Sequence, residues 1–306
     1  MPSEPSPKRK SKTASSPLAE VFGFPCHNMS REAARYRGNR LCPFHNRVPN
    51  CTKDKAEDPL GVCSILRKEN AVITCPVRFR QDWLIATDAA EFFFPEGASW
   101  TSLTEVELPD KNGRSAGNVD VILVAYDRDG QVIDYGALEV QAVYIAGNVR
   151  VPFQKYMSDP QRYDDIDWRQ RYYPCPDYLS SSRKRLAPQL IFKGGILHEW
   201  NRKMAVALDR TFYDTLPVLD EVQASDADMV WLVYDMQLDP GLDRYVLRRH
   251  NTVYTKFEPA LLKITRTEAG AEECFIGKLQ ASLDQKLEND TSTDDATTEV
   301  DFSIRP

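Results

Sequence analysis

Two neighbouring stretches decide how the chain is read. The first is Asn118-Val119-Asp120-Val121-Ile122-Leu123-Val124-Ala125-Tyr126, and the second is Val132-Ile133-Asp134-Tyr135-Gly136-Ala137-Leu138-Glu139-Val140-Gln141-Ala142-Val143-Tyr144. The first runs into a continuous apolar segment and predicts a buried strand. Asp127-Arg128-Asp129-Gly130 follows, and Asp and Gly tolerate the backbone angles of a tight reversal. The second stretch then predicts a return strand. Residues two apart on a strand share a face, so Glu139 and Gln141 project together, and antiparallel pairing can bring Asp120 beside them. Carboxylates converging at the rim of a buried hairpin suit a hard divalent cation such as Mg²⁺.

Taken alone, an acid followed by Glu-x-Gln on the next strand is common, and most such acids only solvate a strand end. Two details sharpen the reading. Asp120 and Glu139 flank strongly apolar sequence, where a carboxylate costs free energy unless it is paired or metal-bound. Glu105 lies on a further apparent strand, Ser102-Leu103-Thr104-Glu105-Val106-Glu107-Leu108, and could add a third acid. Three acids and an amide suit phosphodiester hydrolysis, in which metal ions activate water and neutralise phosphate charge.

The rest of the chain frames this hairpin. Its 306 residues allow one large domain or two moderate ones, and a hydrophobic content of 42% is a globular value. No stretch approaches the ~18 consecutive apolar residues that mark a membrane helix, so no membrane partner is expected. The Pro-, Ser- and Lys-rich start lacks the apolar region of a signal peptide. Seven cysteines without such a signal point to a reducing cytoplasm rather than a disulfide framework.

The net charge of −6 argues against nucleic acid only in the mean. Residues 281–306 carry seven acids against Lys286 and Arg305, whereas residues 31–80 carry eleven Lys and Arg against five acids. Residues 150–203 carry eleven basic residues against six acidic ones. Local positive charge is what a DNA-binding face needs.

Four segments are expected: a disordered basic arm over 1–17, a metal-binding lobe over 18–79, a catalytic domain over 80–284 and a disordered acidic tail over 285–306. Ser30 is a candidate N-cap for a short helix. Residues 80–150 predict strands, His198 to Tyr213 predicts a helix, and Met229 to Tyr234 predicts a strand that turns at Asp239-Pro240-Gly241 and returns as Arg244 to Thr255. Cys26, Cys42, Cys51 and Cys63 fall among turn residues in a stretch that reads as poor in core, which suggests a closed thiolate site for Zn²⁺ or Fe. No C-x₂-C pair is present, and His27 or His45 could replace one cysteine. Cys75 lies in an apolar run and reads as core; Cys175 and Cys274 are isolated.

Longer motifs are more specific than the acid spacing. Leu41-Cys42-Pro43-Phe44-His45-Asn46-Arg47-Val48-Pro49-Asn50-Cys51-Thr52-Lys53-Asp54-Lys55, with Asp58-Pro59-Leu60-Gly61-Val62-Cys63-Ser64, resembles the NotI-type restriction endonucleases. So do Leu138 through Arg150, Pro188-Gln189-Leu190-Ile191-Phe192-Lys193-Gly194-Gly195, and Ala205 through Tyr213. The resemblance spans about residues 20–260.

It implies an α/β (α+β) fold with a PD-(D/E)xK core, a mixed sheet flanked by helices, and an N-terminal lobe with four cysteines around a structural iron. It also implies a prokaryotic, cytoplasmic type II enzyme that works as a homodimer on palindromic double-stranded DNA, with a GC-rich target. By this resemblance Asp120 and Glu139 are the Mg²⁺ carboxylates and Glu105 the upstream acid. Gln141 stands where most PD-(D/E)xK enzymes carry Lys. Val119 rather than Pro precedes Asp120, and Gln141 cannot supply charge or a proton, so the metal must do most of the water activation.

Arg150, Arg183, Lys184 and Arg185 are candidate DNA contacts, since Arg paired with guanine O6 and N7 is the commonest specific base contact. Tyr172, Tyr173 and Tyr178 read as packing residues, and Arg248-Arg249-His250 as structural or phosphate-facing. His198 is given no catalytic role. The alternatives are a nicking or repair nuclease with the same acids and, from another class, a non-catalytic, metal-stapled DNA-binding protein.

Overall fold

The computed structural model describes residues 16–45, 49–55, 57–165, 173–266 and 269–291. The basic arm (apart from Ser16 and Pro17), Tyr172 and the tail beyond Thr291 lie outside them. Residues up to Thr265 form one compact unit, and those from Arg266 form a second.

The first unit begins with four short strands: β1 (Leu18–Val21), β2 (Phe24–Pro25), β3 (Val62–Arg67) and β4 (Asn70–Ile73). They make an antiparallel sheet ordered β2-β1-β3-β4. Helix α1 (Arg31–Gly38) lies between β2 and β3, capped as expected by Ser30, whose Oγ accepts from Ala33 N at 3.2 Å. This corrects the expectation of a core-poor lobe. Leu18, Val21, Phe22, Val62, Ile65 and Val72 are buried in the same apolar cluster as Val206, Leu208 and Trp231 of the main sheet.

The main sheet comprises β5 (Trp100–Pro109), β6 (Ser115–Tyr126), β7 (Val132–Gln141), β10 (Met204–Asp209), β11 (Met229–Asp239) and β12 (Arg244–Thr255). A separate pair, β8 (Tyr144–Ala146) and β9 (Cys175–Asp177), lies between β7 and β10 in the chain. The main sheet is ordered β12-β11-β10-β7-β6-β5. It is mixed: β5, β6 and β7 form an antiparallel meander, β10 pairs parallel with both β7 and β11, and β12 returns antiparallel. The β6–β7 turn forms as its sequence predicts. Asp127 Oδ1 accepts from Asp129 N and Gln131 N, both at 2.9 Å, and Gly130 takes φ 77°.

One expectation is refined here and another fails. The strand-rich stretch 80–150 opens with a helix, α2 (Leu84–Phe93), whose Ile85, Ala89, Ala90, Phe92 and Phe93 are buried. The segment read as a helix from His198 to Tyr213 instead contains β10, all six residues of which are buried at the sheet centre. The five-residue apolar run Met204–Leu208 carries no periodicity, so burial on both faces decides its state.

Helices flank the sheet. α3 (Arg150–Ser158) follows β8. A helical run over residues 178–199 is broken by two π-turn stretches, Ser182–Leu186 and Leu190–Gly194, and Leu186, Leu190 and Leu197 pack into the core. In the second unit one helix, Glu272–Thr291, runs past residue 285 into the segment expected to be disordered.

Candidate active site

The hairpin delivers the acids as its pairing requires. Val121 pairs with Leu138, and one further step of that register sets Asp120 against Glu139. Asp120 Oδ2 accepts from Val140 N at 2.8 Å, and its carboxylate also acts directly on Glu139. Glu139 and Gln141 are 1% and 2% exposed on one face of β7, beside Val206 and Leu208 of β10. Desolvation, with the charge of Asp120, pushes the Glu139 carboxyl up to about 8, against the opposing pull of Lys193.

Lys193, from the second π-turn stretch, donates to Glu139 Oε2 at 2.7 Å and to Asn118 O at 2.8 Å. Its Nζ is also 2.7 Å from Glu139 Oε1, so the ammonium sits against both carboxylate oxygens. Gln141 Nε2 donates to Ala142 O at 3.2 Å, while its Oε1 is buried with no hydrogen-bond partner among the described residues. Gln189 Oε1 is orphaned in the same way. A buried acceptor without a protein donor has the capacity to bind a ligand atom or water. Asp120, Gln141 and Gln189 line one cleft of about 870 Å³, together with Tyr144, Arg150 and Arg185.

The other predicted residues are placed less uniformly. Glu105 stands opposite Asp120 by register, between Thr104↔Val121 and Val106↔Val119, but it is exposed and outside the cleft lining. Its φ of 55° is a left-handed conformation that non-glycine residues adopt at a cost. Arg150 reaches the cleft, yet its guanidinium pairs with Asp54 at 2.5 Å and Asp58 at 2.9 Å, tying α3 to the loop after Cys51. Arg185 Nε donates to Tyr144 OH at 2.7 Å and stacks on that ring. Arg183 and Lys184 are exposed. Tyr178 stacks on Phe212 as a packing residue, and Arg249 pairs with Asp88 at 3.0 Å and Glu91 at 3.4 Å, a structural role.

Among the cysteines the structure draws a different set together. The Leu41↔Asn50 bridge holds Cys42 opposite Pro49 and Cys51 opposite Arg40, near enough for the Cys51 thiol to act on Cys42, and Thr74 N donates to Cys63 O, which brings Cys63 towards Cys75. All four line a cavity of about 10 Å³ with Phe44, Lys53 and Arg78, room for about one small bound species. Cys75 acts on each of the other three thiols electrostatically, and burial pushes Cys42 up to about 11. Cys26 does not line this cavity; its carbonyl accepts from Tyr156 OH at 3.0 Å. His27 Nε2 lies 2.9 Å from Asp243, and His45 lines the cleft. Among the described residues no group of three or more His, Cys, Asp or Glu is placed so that it could hold a metal ion.

Lys193, Gln189 and the place of Cys75 were not assigned from sequence. The first two fall within Pro188–Gly195, a motif noted without a role; only the tertiary contact reveals that Lys193 meets Glu139.

The comparisons agree with the resemblance. No curated protein matches the chain. The family model described as Restriction endonuclease NotI matches residues 27–247, well over half the sequence, and includes Asp120, Glu139, Gln141 and the helical run that carries Lys193. The chain therefore belongs to the NotI restriction endonuclease family.

Proposed function

We propose that the protein is a Mg²⁺-dependent type II restriction endonuclease with a PD-(D/E)xK core, hydrolysing both strands of a palindromic, GC-rich DNA duplex as a homodimer. Family membership supports a restriction endonuclease, hence a DNA-binding hydrolase. The observation that carries the finer reading is the register that sets Asp120, which lines the cleft, against the buried Glu139, with the orphaned oxygen of Gln141 on the same strand face as Glu139. Two carboxylates and an amide oxygen are a hard-oxygen donor set that fits Mg²⁺. Bound there, Mg²⁺ would supply Lewis acidity for water activation and phosphate charge. Asp120 is oriented by the Val140 amide and Glu139 by Lys193, so neither carboxylate needs to be ordered when substrate arrives. Gln141 Oε1 would accept a proton-bearing ligand or coordinate directly; being neutral, it removes no proton. Water oxygen would attack phosphorus as the P–O3′ bond breaks, the water giving a proton to solvent and the leaving 3′ oxygen taking one from solvent, which gives 5′-phosphate and 3′-hydroxyl ends. Arg185, and the exposed Arg183 and Lys184 beside it, are the candidate phosphate and guanine contacts.

Cutting both strands of a palindrome needs two such sites related by a twofold axis. For the structural metal, Fe with Zn as the alternative, the thiols that fit are Cys42, Cys51, Cys63 and Cys75, with Cys75 in the place expected of Cys26. Four protein ligands leave no position for substrate. No helix among the described residues is long and apolar enough to cross a membrane, and the cytoplasm of a prokaryote is the setting proposed.

The test is incubation of purified protein with plasmid and Mg²⁺, followed by sequencing of the cut ends. Discrete linear fragments with one recurrent palindromic end sequence are expected. Nicked circles without linear product, or no cleavage at all, would overturn the restriction reading.

A further inference from the structure

The helical run 178–199 contributes more to this site than a supporting wall. Lys193 is 7% exposed, and among the described residues its ammonium meets Asn118 O on β6 and the carboxylate of Glu139 on β7. Asn118 lies two residues before Asp120, so the ammonium bridges the two strands at the point where they present their acids. A lysine is rarely buried unless paired, because its charge and its flexible chain both favour water. Here the local backbone is built to place it. The wide π-turn Leu190–Gly194 re-aims the side chains of the run. At Gly194 a Cβ would lie 2.6 Å from the Phe257 ring, so the absence of a side chain there lets the run seat closely. Arg185, Gln189 and Lys193, spaced four apart, follow one face of the run; the first two line the cleft and the third meets Glu139. The strand itself offers no cation, because Gln141 is neutral.

We propose that Lys193 is the positioning cation of the active site, fixing the Glu139 carboxylate against Asp120 and so providing from the helix the positive charge that Gln141 cannot provide from the strand. The inference rests on the nuclease reading above. A merely structural lysine would hold the fold together and leave the chemistry of each folded molecule unchanged. A positioning lysine sets the rate of the chemical step at saturating DNA and metal.

The experiment uses full-length Lys193→Met, Lys193→Gln and Lys193→Arg, and a duplex carrying the site defined by end sequencing. Single-turnover cleavage in saturating Mg²⁺ and DNA affinity in Ca²⁺ are measured, with rates expressed per folded molecule. Removing the charge (Met or Gln) is expected to lower the single-turnover rate by about 100-fold. DNA affinity is expected to stay within about threefold of wild type. Lys193→Arg, which restores the cation with altered reach, is expected to recover about tenfold of the lost rate. If Lys193→Met does not fold, Lys193→Gln keeps an amide able to donate to Asn118 O and decides the matter. A charge-free variant cutting at the wild-type rate overturns the inference and leaves the nuclease reading standing. Failure of the wild-type protein to cut any DNA overturns the nuclease reading instead.

Discussion

Replacing Arg78 by Met tests whether the N-terminal lobe is part of the main core. Arg78 and Glu20 are both fully buried and pair at 3.0 Å. The guanidinium also donates to Gln81 Oε1 and Tyr245 O, each at 2.8 Å, and stacks 4.2 Å from the Phe44 ring centroid. It therefore joins β1, β12 and the loop that carries Cys42. After Arg78→Met, Glu20 keeps, among the described residues, the Ser64 hydroxyl at 2.9 Å, and Tyr245 O loses its side-chain donor. Breaking a buried pair from one side costs about 3–5 kcal/mol, a large part of the roughly 5–15 kcal/mol that holds a domain folded. With a urea dependence of about 2–3 kcal/mol per molar, the unfolding midpoint should fall by about 1–2 M. Adding Glu20→Gln removes the stranded charge, so the double variant should be more stable than Arg78→Met alone. A midpoint shift under about 0.3 M, or strictly additive losses, would refute the view that this ion pair ties lobe to sheet.

Three further outcomes follow from the same structure. Gly136→Ala would set a Cβ 2.4 Å from the Phe93 ring; overpacking of this kind costs about 1–3 kcal/mol and should lower Tm by about 3–10 °C in a thermal melt, and an unchanged Tm would contradict the close seating of α2 on β7. Metal analysis of purified variants should find the structural metal retained in Cys26→Ser and lost in Cys75→Ser; the reverse pattern would contradict the ligand set proposed from the cavity. Because burial and Asp120 hold the Glu139 proton up to about 8, the metal-free protein gives up stability as pH rises from the ordinary carboxylate range towards 8, and binding a cation below 8 must expel that proton. The Ca²⁺ concentration for half-saturation, followed by calorimetry, should therefore fall by about tenfold per pH unit from 6 to 8 and then level off; a flat profile would contradict this coupling.

The hairpin at the centre of the site was legible because its signals are local. Asp127 and Gly130 fix the turn, the apolar run fixes β6, and strand period sets Glu139 and Gln141 on one face. What escaped is non-local. β10 reads as part of a helix until it is placed between β7 and β11, since burial on both faces erases its period. The lobe reads as core-poor because its apolar residues come in runs of a few, and they form a core only once β1 and β3 pair and join the main cluster. Spacing could not choose between Cys26 and Cys75, because the β3–β4 pairing brings Cys75 to Cys63. Lys193 meets a carboxylate 54 residues away in the chain, and no local pattern encodes that contact. Glu105 shows the opposite case: register sets it across from Asp120, yet it lies on the exposed face of the edge strand β5.

The central claim is that Asp120 and Glu139 hold the catalytic metal of a DNA endonuclease. Its most direct test is cleavage by Asp120→Asn and Glu139→Gln, alongside Ca²⁺-supported binding of the same duplex. Both variants should bind the specific site and leave it uncut. Mg²⁺-dependent cleavage at the wild-type rate by either variant would contradict the claim.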